Sequence, residues 1–110
     1  MSILERINSS SDVKALRPDE LKPLCEELRS RLVNTVSKTG GHLASNLGAV
    51  EISVALTRVM DLPREKVIYD TGHQCYVHKI LTDRGAAFDT LRTAGGISGF
   101  PRREESPFDA

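Results

Sequence analysis

The chain has 110 residues, 39% of them hydrophobic, with 15 basic and 15 acidic side chains that cancel, three histidines and two cysteines. This is one domain's worth of polypeptide, able to bury about 65% of its unfolded surface, and its zero net charge excludes an electrostatic pull toward nucleic acid or an anionic membrane. No apolar run approaches the roughly 20 residues of a transmembrane helix, and Glu5, Arg6, Asp12 and Lys14 break up any signal-peptide core, so the composition predicts a cytoplasmic chain with Cys25 and Cys75 as free thiols.

Residues 1–16 show little periodicity and include a Ser-Ser-Ser run at 9–11, which reads as a leader and not a core element. Leu21, Leu24, Leu28, Leu32 and Val36 then recur at steps of three and four, the stripe of an amphipathic helix whose firm body is 24–38. Pro18 and Pro23 fit only near its start. Glu27 and Arg31 are spaced to pair on its wet side. Gly40 and Gly41 end it, because glycine adopts the left-handed conformation that closes many helices. His42 follows at once. Ser45 or Asn46 caps a second helix in which Leu47, Val50, Ile52, Val54, Ala55, Leu56, Val59 and Met60 cover nearly the whole circumference, predicting burial on several sides.

A turn at 61–64 leads to Val67-Ile68-Tyr69, short, branched or aromatic, and apolar, the signature of a central parallel strand over about 66–70. Asp70-Thr71-Gly72-His73 would lie at its carboxyl end and a helix over 76–84 would follow. Open α/β sheets bind ligands at that edge, where a helix start offers free N–H groups to an anion. The fold class read from the chain is therefore α/β: mostly helical with one clear parallel-type strand, an incomplete domain. Residues 93–110, TAGGISGFPRREESPFDA, carry glycines, prolines and mixed charge and read as a loop excursion that ends as if interrupted.

Three stretches, SKTGGHLASNLGAVEISVAL (37–56), VIYDTGHQCYVHKILTDR (67–84) and TLRTAGGISGFPRREES (90–106), closely resemble the amino-terminal part of the 1-deoxy-D-xylulose-5-phosphate synthase family, transketolase-like enzymes that use thiamine diphosphate. The resemblance runs without a gap from about Leu16 to Ala110 and implies a division into a leader, 1–16, and a partial thiamine-diphosphate-binding domain, 17–110. It implies a decarboxylating condensation of pyruvate with glyceraldehyde 3-phosphate, the entry to a non-mevalonate isoprenoid route. In such enzymes the cofactor carries the hard chemistry and the protein supplies position and proton traffic. By the same resemblance His42 is the catalytic histidine, exchanging protons with substrate oxygens, and His73 with Gly72 contacts the cofactor.

Other polar groups read as structural. His78 does not share the face of His73, and it and Lys79 are assigned to the following helix. A lone C-x-x-H pair, Cys75 and His78, falls short of the four ligands zinc usually takes, so no metal site is assigned. Glu51 reads as paired internally or at an edge, and Arg102, Arg103, Glu104 and Glu105 as a solvated charge cluster. Thr57, Met60, Cys75 and Asp83 depart from the family pattern without touching His42 or His73.

The family's Gly-His-Ser segment, its GDG…N motif for magnesium and diphosphate, its activating glutamate and its later domains do not occur in these residues. The chain alone is thus expected to be inactive and marginally folded. Its expected partner is the remainder of the synthase or a homologous subunit. The alternative reading is a non-catalytic interaction module that packs onto a full-length synthase.

Overall fold

The computed structural model describes residues 2–69 and 72–110, and among them regular structure is entirely helical. The α-helices are α1 (Ser10–Lys14), α2 (Leu21–Thr39), α3 (Leu43–Leu47), α4 (Val50–Val59) and α5 (Tyr76–Leu81). Short 3-10 turns at Leu4–Arg6, Pro18–Glu20 and Ala86–Thr90 join them.

Helix α2 forms as its stripe predicts. Leu24, Leu28 and Leu32 are fully buried, Pro23 sits in the first turn where no intrahelical donor is lost, and Gly40 stops the helix with φ +80°, its N–H donating to Val36 O at 2.8 Å. The Glu27–Arg31 pair does not form. Glu27 instead accepts the N–H groups of Ile3 and Leu4, while Arg31 donates to Gly85 O and lies 5.5 Å over the Phe88 ring. The segment read as a leader is drawn inward by these bonds and contributes Ile7, Val13 and Leu16 to the core.

The second predicted helix breaks in two at Gly48 and Ala49. Its apolar circumference is not buried all round: α4 turns Val50, Ser53, Val54 and Thr57 inward and leaves Ile52 and Val59 60% and 80% exposed. Glu51 pairs with Arg29 at the outer edge, 2.5 Å apart. Helix α4 lies against α1, α2 and α5. At the centre stands α5, all six residues of it buried.

The α/β expectation fails. Among the described residues there is no strand, and Val67, Ile68 and Tyr69 form an irregular segment with Ile68 84% exposed; Asp70, the last residue of the expected strand, and Thr71 lie outside the described residues. The physical reason is pairing: a strand exists by exchanging backbone hydrogen bonds with a neighbour, and a single β-prone tripeptide has none to exchange with.

Candidate active site

His42 is held by a steric device. Gly41 has φ +136°, and a Cβ there would lie 2.6 Å from Tyr76 Oη, so only glycine allows the buried tyrosine this close. Tyr76 Oη then accepts the His42 N–H at 3.1 Å. His73 follows Gly72, whose φ is +91° and whose missing Cβ would press on Pro101 at 2.9 Å and Phe100 at 3.4 Å. Glycine at 72 thus lets the 100–101 segment pack directly against the backbone before His73.

The two histidine segments meet. The imidazole centroids of His42 and His73 are 4.4 Å apart, with the rings tilted by 42°. What joins them is Asn46, fully buried. Its Nδ2 donates to His42 O at 2.6 Å and His73 O at 2.8 Å, and its Oδ1 accepts the Tyr76 N–H at 3.0 Å. Sequence reading took Asn46 for a helix cap and passed over Tyr76. The only sequence signal was the polar amide itself, since its three partners lie 4, 27 and 30 residues away.

His42 opens onto a cleft of about 540 Å³, lined also by Tyr76, Arg92, Ser98, Phe100 and Arg102. Arg92 adopts φ +59°, a left-handed conformation uncommon outside glycine, and its N–H donates to Ile97 O at 2.8 Å, closing the loop that borders the cleft. Its guanidinium makes no hydrogen bond or ion pair among the described residues. Two guanidiniums beside an imidazole suit an anionic group such as a diphosphate or carboxylate. Among the described residues no group of three or more His, Cys, Asp or Glu side chains could hold a metal ion.

His78, Lys79 and Cys75 take no place at the cleft's reacting side. Cys75 is fully buried with Sγ 3.8 Å from Gly99 O, and burial pushes its thiol up to about 11. His78 Nε2 lies 3.2 Å from Phe108 O and 3.3 Å from Asp109 Oδ1. The expected solvated cluster is exposed at three of its four residues. Arg102, Arg103 and Glu104 are exposed, but Glu105 turns inward to Lys79 and Arg84 at 2.8 and 3.1 Å. Arg84 in turn grips Asp109 with two 2.7 Å bonds. Burial raises the Asp109 carboxyl, yet bonds from His78, Arg84 and the Arg102 N–H outweigh it and hold the group well below the usual carboxylate range.

The sequence as a whole has relatives among known proteins. The sequence matches the family model described as 1-deoxy-D-xylulose-5-phosphate synthase over residues 4–110. Synthases of that name from Syntrophotalea carbinolica, Carboxydothermus hydrogenoformans and Bordetella petrii are 54%, 55% and 56% identical, over 100%, 98% and 98% of this chain. The chain spans 17% of the length of each of them. With its histidine pair in contact and its sequence matched almost end to end, the chain belongs to the 1-deoxy-D-xylulose-5-phosphate synthase family.

Proposed function

We propose that the chain supplies one wall of an active site that condenses pyruvate with glyceraldehyde 3-phosphate to 1-deoxy-D-xylulose 5-phosphate and carbon dioxide. Residues 17–110 then form part of a thiamine-diphosphate-binding domain, with 1–16 as its leader. The observation that carries the reading is the 4.4 Å contact between the His42 and His73 rings, which brings two separate loops together beside the cleft that His42 lines.

Thiamine diphosphate, when bound, supplies the nucleophilic carbon and the electron sink. The chain's own residues do the rest. His73, with Gly72 before it, holds the cofactor side. His42 bonds substrate oxygens and moves a proton to or from them, which imidazole does well because it donates and accepts near neutral pH. Arg92 and Arg102 face the anionic groups of cofactor or substrate. Magnesium, a hard cation that takes oxygen ligands, is held by polypeptide beyond these residues, in the remainder of the synthase or a homologous subunit.

His42 is exposed on this chain, so the reacting centre stands in water until another polypeptide covers it, and desolvation is part of such chemistry. The test is turnover of pyruvate and glyceraldehyde 3-phosphate by the chain alone and after mixing with the complementary part of a full-length relative. We expect no product alone, product on mixing, and a loss of at least ~100-fold with His42→Ala. Product from the chain alone would overturn the reading. A mixture that turns over equally well with His42→Ala would favour the non-catalytic interaction module.

A further inference from the structure

The segment 92–109 borders the His42 cleft with its first part, 92–102, and has little apolar anchorage there: residues 93–96 are all exposed, and only Ile97 of that loop packs partly against the core. Charge holds the segment instead. Lys79, fully buried in α5, donates from Nζ to Ser98 O at 2.7 Å and to Glu105 Oε1 at 2.8 Å. Glu105 Oε2 accepts the Ser98 N–H at 2.6 Å. Both polar backbone groups of Ser98 therefore end on one ion pair, and Ser98, Gly99 and Phe100 are a wall of the cleft. The end of the segment is also held by Arg84, which grips Asp109 and reaches Glu105 at 3.1 Å, so Lys79 is not the one cation that retains it.

A buried ion pair is rarely more stabilising than well-packed apolar side chains of the same volume. What an ammonium adds is direction: it fixes one carbonyl at one place. We propose that Lys79 is a positioning residue of the cleft, setting through Ser98 and Glu105 where residues 98–100 stand relative to His42. The inference rests on the cleft being the reaction site, but its test does not need turnover.

The experiment compares the full chain with Lys79→Met and with the double variant Lys79→Met/Glu105→Gln. Three quantities are read: the thermal melt, amide hydrogen exchange at Arg92 and Ser98, and the His42 imidazole resonances. Lys79→Met leaves the part-buried Glu105 carboxylate with Arg84 as its remaining cation, and should lower the melt and speed exchange at Arg92 and Ser98 by about 10-fold. In the double variant the side chain at 105 is neutral and no longer requires a second cation. Its melt should return toward that of the parent while the two amides stay fast and the His42 signals stay displaced. A double variant with parental exchange and unchanged His42 signals would overturn the proposal, as would one that fails to fold or loosens α5 by the same factor as the loop. Loss of the His42 dependence of turnover in the complemented enzyme would sink the proposed function and leave these exchange results standing.

Discussion

At Gly41 the geometry leaves no room for a side chain. An alanine methyl would sit 2.6 Å from Tyr76 Oη on a backbone with φ +136°, so Gly41→Ala should cost about 1–3 kcal/mol, read from urea melts, and should weaken the nuclear Overhauser contact between the His42 and His73 rings. An unchanged ring contact would show that the tyrosine does not fix His42. The cysteines offer a second test. Burial raises both thiols, Cys75 to about 11, and thiolate is the reactive form. Iodoacetamide at pH 8 should therefore leave Cys75 unmodified in the native chain and label it only after denaturation; rapid native labelling would contradict the buried placement.

Between elements, Asn46 does what a hydrophobic contact could not. One side chain on α3 satisfies the carbonyls of two loops and the first N–H of α5. Asn46→Ala strands one buried and two part-buried backbone groups and should destabilise the chain by about 2 kcal/mol, whereas Ile52→Ala on the exposed face of α4 should change stability by no more than about 0.5 kcal/mol. Equal losses at the two sites, measured by urea denaturation, would deny the clamp its role. The break between α3 and α4 has the same origin: Asn46 turned toward the histidine loops is not available to cap α4, and Gly48 and Ala49 take up the change of direction.

Across the whole molecule, buried charge governs how the chain responds to acid. Burial raises the Glu105 carboxyl, but bonds from Lys79 and the Ser98 N–H prevail and lower it, and Asp109 is lowered further. A carboxyl depressed in the folded chain gives stability that is present above its unfolded value, near 4, and lost as pH falls through the folded one. The melting temperature should therefore drop between about pH 4 and pH 2, and Asp109→Asn should flatten that drop while lowering the melt at pH 7 because Arg84 loses the two-bond carboxylate partner among its three; a pH-independent melt would contradict the network.

The sequence by itself determined the α2 stripe, its glycine stop, the family, and the two histidines worth watching, because local periodicity, backbone permissiveness and motif identity are properties of neighbouring residues. Only the tertiary structure decided that Val67-Ile68-Tyr69 is no strand, that Asn46 and Tyr76 bind the histidine loops, and that Lys79, Arg84, Glu105 and Asp109 face one another inside. Strand pairing and buried polar networks join residues far apart in the chain, and no local pattern records which distant group will satisfy a given hydrogen bond or charge.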